Sequence, residues 1–336
     1  MEYRRLGRSG LLVSPVCLGT MIFGSRTDPH TAARMVALAR EKGVNFIDTA
    51  DQYVHGRSEE IVGSLIRRDR HDWVLATKVG TVWEKKPNRS GLGRKWLLEQ
   101  LDASLRRLGT DYIDVYYLHV DDYGTPLEET ALAIGDAIRQ GKIRHFGVSN
   151  YRGWRIAEMI ALCDRHGIPR PIACQPYYNA MNRMPEVEIL PACAYYGLGV
   201  VPYSPLARGV LTGKYRWGKA PPKGTRVAIS DMRIMQTEWR KESVEIADRI
   251  VRHATKRGMT GGQFALLWVL NNAFVSSAIV GPRTLPQWRE NLDALKHEFR
   301  REDEALVNRL VAPGHPSTPG YNDPVYPPRG RVPRTD

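Results

Sequence analysis

The chain has 336 residues, 42% hydrophobic and 25% charged, with 49 Lys+Arg against 36 Asp+Glu for a formal charge of +13. That is the composition of a soluble globular protein; no run approaches the roughly 18 apolar residues of a membrane span, and the start Met1-Glu2-Tyr3-Arg4-Arg5 lacks a signal peptide's apolar core, so a cytoplasmic location is expected. The positive charge suggests a nucleic-acid surface, but basic residues are interleaved with acids, as in Arg240-Lys241-Glu242 and Arg300-Arg301-Glu302-Asp303, so the expectation is a solvated surface that favours an anionic cofactor, with no nucleic-acid partner.

In chain order, two short apolar alternations flank the turn Arg8-Ser9-Gly10, a hairpin signal. Val16 to Thr20 is the first buried-strand pattern. Asp28-Pro29 starts a helix whose Met35, Val36 and Ala39 share a face and which stops at Gly43. A strand over Asn45 to Asp48 follows, then a helix opening at Ser58-Glu59-Glu60 with acids in its first turn. Trp73 to Lys78 is the next strand, and Gly80 to Gly93, broken by proline and glycines, is a candidate substrate loop. A helix over Lys95 to Leu108 leads to the strand Tyr112 to His119; Thr125-Pro126-Leu127-Glu128 then reads as a capping box for a helix ending before Gly141.

Four more strand patterns lie at Arg144 to Ser149, Ile172 to Gln175, Gly199 to Tyr203 and Ser276 to Val280. Helical patterns lie at Trp154 to His166, Glu186 to Tyr195, Glu238 to Thr255, Gln263 to Leu270, Gln287 to Lys296 and Asp303 to Leu310. Eight apolar strands separated by helices predict an α/β fold, a parallel (β/α)8 TIM barrel, with the hairpin before it. A doubly wound sheet would need G-x-G-x-x-G after a strand; Gly197-Leu198-Gly199-Val200-Val201-Pro202 lacks the third glycine and precedes one. The barrel is expected over residues 1–311 and an irregular, Pro- and Arg-rich tail over 312–336. Cys17, Cys163, Cys174 and Cys193 have no metal spacing and read as reduced core residues, so no metal site is expected.

Chemistry on such a barrel sits at the carboxyl ends of the strands. Asp48, Lys78 and His119 each close a successive strand pattern, and Tyr53 lies on the loop after Asp48. A phenol is a poor acid at neutral pH; a neighbouring ammonium would lower its pKa, a carboxylate would hold the ammonium, and a histidine would bond the phenol oxygen or the substrate oxygen. That set suits handing a proton to a carbonyl oxygen as charge develops on it. Asp51, between Asp48 and Tyr53, is expected to be a loop charge.

Asp48, Tyr53, Lys78 and His119, set in N-F-I-D-T-A-D-Q-Y, A-T-K and Y-Y-L-H, closely resemble the catalytic tetrad of the aldo-keto reductases, and the resemblance runs from Tyr3 to about Leu310. It implies a reversible, NADPH-dependent reduction of an aldehyde or ketone, with NADPH (NADP+) preferred over NAD(H) as cofactor. It also implies that Gly19, Thr20 and Asp48 lie at the cofactor, that Ser149, Asn150 and Gln175 hold the nicotinamide carboxamide, and that Tyr203 stacks on the ring. Ser204, Leu206, Arg208 and Gly209 would wrap the pyrophosphate. Arg283 would take the 2'-phosphate, many members carrying a lysine-serine pair or an extra arginine where this chain has Gly281-Pro282 and Gln287, with Gln287 and Asn291 near the adenine. Trp83 and Tyr123, with the Tyr321 to Tyr326 region, are candidates for the wall of a largely apolar pocket suited to a bulky or cyclic ketone. The alternative is a cofactor-sensing barrel with slow turnover, similar to the channel-associated relatives.

Overall fold

The structure, a computed structural model, describes residues 1–328 and 330. Strands β1 (Arg4–Arg5) and β2 (Leu12–Val13) pair antiparallel across the predicted turn, where the Ser9 hydroxyl donates to Leu6 O at 2.7 Å and accepts from Leu11 N at 3.2 Å. The barrel strands are β3 (Val16–Gly19), β4 (Phe46–Asp48), β5 (Val74–Val79), β6 (Ile113–Leu118), β7 (Ile143–Ser149), β8 (Ala173–Gln175), β9 (Gly199–Val200) and β10 (Ala278–Val280). Neighbours follow chain order from β3 to β9, β10 pairs with β3, and every pair is parallel. The last seam is made outside the regular strands: Val200 bridges Val275 and Tyr203 bridges Ile279, with Ser276 N donating to Val200 O at 2.9 Å and Ile279 N to Pro202 O at 3.0 Å. The sheet closes on itself, and the fold is the (β/α)8 barrel that the alternation predicts.

Helices alternate with these strands along the chain: α1 (Pro29–Glu41), α2 (Arg57–Ile66), α3 (Arg94–Leu108), α4 (Leu127–Arg139), α5 (Gly153–Arg165), α6 (Ile189–Tyr196), α7 (Met232–Thr237), α8 (Lys241–Lys256), α9 (Gly261–Leu270), α10 (Leu285–Asp293) and α11 (Arg301–Leu310). Asp28 caps α1 as its position before Pro29 predicts, accepting from Thr31 N at 3.0 Å. The Thr125 capping box does not form. The Thr125 hydroxyl donates instead to Asp122 at 2.7 Å, and α4 starts with no side-chain cap. The six-residue α7, between β9 and α8, is absent from the sequence reading because it is too short to show a period.

By compactness the chain divides into two units, Met1–Tyr177 with Val187–Tyr203 and Leu270–Asp293, and Tyr178–Glu186 with Ser204–Val269 and Ala294–Asp336. In the first, Cys17, Phe46, Val74, Ala76, Val115, Tyr117, Ala173, Val201 and Ile279 form one buried cluster, joined by Leu6 and Val13 from the hairpin strands' surroundings. Side chains two apart on a strand share a face. The step that follows Phe46 on β4 is therefore Asp48, the step after Ala76 on β5 is Lys78, after Tyr117 comes His119, after Ala173 comes Gln175, and after Val201 comes Tyr203. One phase fills the barrel with apolar groups and then delivers polar ones to its carboxyl end.

In the second unit, buried Arg183 ties its own turn to the end of α11, reaching Glu186 at 2.9 Å, Asn308 Oδ1 at 2.6 Å and Val311 O at 2.9 Å. Residues 312–328 form no helix or strand, yet Arg240 stacks over the Tyr321 ring at 3.6 Å and Arg233 pairs with Asp323 at 2.6 Å. The rest of the predicted tail, residues 329 and 331–336, lies outside the described residues.

Candidate active site

Lys78 is the centre of the site. Fully buried, its Nζ donates to Asp48 Oδ1 at 2.5 Å, to Thr49 O at 2.7 Å and to the Tyr53 hydroxyl at 3.2 Å. A lysine with no water around it keeps its charge only when every N–H has an acceptor; here all three have one. Burial pushes the Lys78 pKa down, but Asp48 and Tyr53 push it further up, so the ammonium persists. Asp48 is oriented from its other oxygen, which accepts from Gln175 Nε2 at 3.0 Å.

Tyr53 departs from expectation in one respect. Its phenol pKa is raised: burial outweighs the downward pull of Lys78, and Asp48 adds to the rise. The phenol stays protonated across the neutral range, and the ammonium 3.2 Å away acts only when negative charge forms on the oxygen. The His119 ring stands edge-on to the Tyr53 ring, centroids 6.0 Å apart at 81°. Burial, with Lys78 adding to it, drives the His119 pKa well down, so the imidazole is neutral, and its Nδ1 is buried without a hydrogen-bond partner.

The later strands extend this network. Ser149 Oγ donates to Gln175 O at 2.9 Å; Asn150, in the left-handed region at φ 61, donates from Nδ2 to His119 O at 2.9 Å and to Ser149 Oγ at 3.1 Å. The Tyr203 hydroxyl donates to Asn150 Oδ1 at 2.9 Å, and its ring stacks on Tyr177 at 5.6 Å. Residues 48, 53, 78, 119, 149, 150, 175 and 203 are thus brought together. Thr20 is buried and its Oγ1 donates to Asp48 O at 3.0 Å; Gly19 lies beside Asp48 in the β3–β4 register.

Asp51 is not the loop charge that its position suggests. It is 1% exposed, its Oδ1 accepts from Gln52 N at 2.6 Å, and its Oδ2 is buried without a partner. Burial, reinforced by Glu59, raises its pKa to about 7. Glu59 is itself fully buried, accepting from Thr77 Oγ1 at 2.5 Å and from Arg107 Nε at 2.6 Å. The acids at the start of α2 therefore do more than meet a helix dipole, and the missed signal was Arg107, a cation 48 residues away in sequence.

The remaining candidates stand apart from the tetrad's hydrogen bonds. Ser204, Ala207, Arg208 and Gly209 all have positive φ, so this segment is tightly wound, with Arg208 Nε on Thr237 Oγ1 at 3.0 Å. Lys214, not foreseen from sequence, sets its Nζ where a Cβ on Gly209 would lie, 2.7 Å from that point. Gln287 Oε1 accepts from Arg283 N at 2.9 Å and from Thr284 N at 3.3 Å, capping the start of α10, and Asn291 is buried one turn on. Trp83 lies edge-on to His55 at 6.2 Å and under Arg107 at 5.2 Å; Tyr123 is exposed, against Trp154 at 6.3 Å and Arg155 at 5.1 Å. Among the described residues no group of three or more His, Cys, Asp or Glu is placed to hold a metal, and no helix is long and apolar enough to cross a membrane.

Residues 15–312 match the sequence model of the Aldo/keto reductase family. The chain is 38% identical over 308 residues to an Arabidopsis thaliana protein described as "Probable voltage-gated potassium channel subunit beta", covering 88% of this chain and 91% of that one. It is 35% identical over 336 residues to an uncharacterized oxidoreductase of Bacillus subtilis, 96% and 99% of the two chains, and 34% identical over 329 residues to an L-glyceraldehyde 3-phosphate reductase of Escherichia coli O157:H7, 94% and 93%. With a barrel closed from eight parallel strands, a buried Asp48–Lys78–Tyr53 chain at its carboxyl end and a family match across nearly its whole length, this chain belongs to the aldo/keto reductase family of oxidoreductases.

Proposed function

We propose that the chain reduces an aldehyde or ketone to the alcohol with NADPH, reversibly, and that Tyr53 is the acid. The observation that carries this reading is the Tyr53 hydroxyl 3.2 Å from an Nζ that three acceptors hold in place. Bound NADPH would supply the hydride for the carbonyl carbon. As negative charge grows on the carbonyl oxygen, the Tyr53 proton moves to it, and Lys78 stabilises the phenolate left behind. His119, neutral, donates a hydrogen bond to the same oxygen and orients it without competing as a proton source. Asp48 keeps the ammonium charged, and Gln175 keeps Asp48 from rotating away.

The donor set fits the cofactor chemically. Ser149, Asn150 and Gln175 would hold the carboxamide, Tyr203 offers a flat ring face already used in stacking on Tyr177, and Gly19 and Thr20 border Asp48. Ser204, Leu206, Arg208 and Gly209 would wrap the pyrophosphate, in a segment tightly wound by the left-handed Ser204, Ala207, Arg208 and Gly209. Arg283 would take the 2'-phosphate, with Gln287 and Asn291 at the adenine, which makes NADPH the cofactor over NADH. Trp83 and Tyr123 would bound the substrate, a small carbonyl compound that includes bulky or cyclic ketones.

The test is NADPH oxidation by the purified chain against a panel of aldehydes and ketones, with Tyr53→Phe alongside. Tyr53→Phe should abolish turnover and leave NADPH affinity within about twofold, because only the hydroxyl is lost. Turnover retained by that variant would refute the assigned acid. A second reading, a cofactor-sensing protein with slow turnover, draws support from the potassium-channel beta-subunit descriptions of several relatives. It predicts NADPH binding with no substrate in the panel turned over above background.

A further inference from the structure

The backbone holds Asp51 against the lysine of the tetrad. Its N–H donates to Lys78 O at 3.3 Å, while Nζ of the same lysine reaches back to Asp48, to Thr49 O and to the Tyr53 hydroxyl. The loop from Asp48 to Tyr53 therefore wraps Lys78 from both ends, with Asp51 inside the wrap. Its carboxyl is 1% exposed, one oxygen accepts from Gln52 N at 2.6 Å, and the other has no partner. A buried carboxylate with an unmatched oxygen is costly to ionise, and its charge acts strongly on what lies nearby.

The charged groups around it do not balance. On α2, buried Glu59 accepts at 2.6 Å from Nε of Arg107, on α3, whose Nη2 donates to Ser104 Oγ at 3.1 Å. On β4, Asp48 is held by Lys78 of β5 and by Gln175 of β8. On β6, Tyr116 is buried with its hydroxyl unpartnered; burial first, then Asp51 and Glu59, keeps that phenol protonated. Two cations, Lys78 and Arg107, thus serve three carboxylates, and the one left without a cation is Asp51. Burial, with Glu59 adding to it, places its proton exchange at about 7. Burial is also the main cause of the raised Tyr53 pKa, and Asp51 adds to that rise.

We propose that Asp51 is a positioning residue for the proton transfer and gates it with pH: protonated, it leaves the field of Lys78 to the phenolate that forms on Tyr53, and ionised, it opposes that phenolate and slows carbonyl reduction. This rests on the function proposed above, in which Tyr53 is the acid. Asp51 touches neither substrate nor proton and acts through Lys78 and Tyr53.

Single-turnover oxidation of bound NADPH by nitrobenzaldehyde is followed from pH 5.5 to pH 8.5. The parent's rate should fall about tenfold through a step centred near 7, the effect of one buried charge beside a developing anion. Asp51→Asn should keep the fast rate throughout, and Glu59→Gln should move the step to lower pH. His55→Gln, which removes an exposed histidine of the same loop, should leave the step in place. A step that survives in Asp51→Asn, a step of opposite sign or a flat parent profile overturns the inference. The NMR shift of labelled Tyr53 Cζ, identified by its loss in Tyr53→Phe, is followed over the same range without cofactor. It should move with the same step in the parent and stay flat in Asp51→Asn. If the parent turns nothing over, the oxidoreductase reading fails by itself and this measurement decides the coupling; a Tyr53 signal that does not move in the parent overturns it whatever the activity.

Discussion

Replacing Asp51 by Asn should stabilise the protein, and increasingly so as pH rises. The carboxylate is 1% exposed, one oxygen has no hydrogen-bond partner, and Glu59, which acts on it electrostatically, already holds Arg107. Its pKa moves from 3.8 to about 7 on folding, about three units at 1.36 kcal/mol each, or roughly 4 kcal/mol against the ionised form. The folded state holds the proton more tightly than the unfolded one. Stability from this group is therefore complete below pH 3.8, falls as pH rises toward 7 and is flat above. Between pH 5 and pH 8 the parent loses about 2.7 kcal/mol that an uncharged amide does not lose, equivalent to about 4 °C in Tm for a chain of this size. The amide keeps the acceptor for Gln52 N and adds a donor beside Glu59. Thermal unfolding of both proteins at pH 5 and pH 8 cancels every other titrating group in the difference. A Tm gap that does not widen by pH 8 would show that Asp51 is not carrying its charge unpaired.

Lys78→Met should lose turnover and also destabilise the fold by about 3–5 kcal/mol, because it leaves Asp48 buried with Gln175 as its remaining side-chain partner; adding Asp48→Asn should recover part of the stability and none of the activity, measured by chemical denaturation and NADPH oxidation. Gly63→Ala, in the middle of α2, should lower Tm even though alanine favours a helix by about 1 kcal/mol, since its Cβ would sit 2.1 Å from Leu108 O at the end of α3. An unchanged or raised Tm would mean that the two helices are free to separate there. The pH profile of carbonyl reduction should show no step from His119 between pH 6 and about 8, because burial holds its imidazole neutral throughout; a step that vanishes in His119→Asn would contradict this.

The sequence by itself determined the barrel and its chemistry, since both depend on local order. Eight apolar runs separated by helical patterns allow few other folds, and a period of two carries each run from Phe46, Ala76 and Tyr117 to Asp48, Lys78 and His119 without reference to anything distant. Two things were decided only by tertiary structure. The direction of the Tyr53 shift turned on how completely the phenol is enclosed, which sequence spacing does not report. Asp51 became a buried charge because β5, α2 and α3 close around the loop that holds it, through Thr77, Glu59 and Arg107. Desolvation and charge pairing depend on everything within a few ångströms of a group, and in a closed sheet most of that comes from elsewhere in the chain.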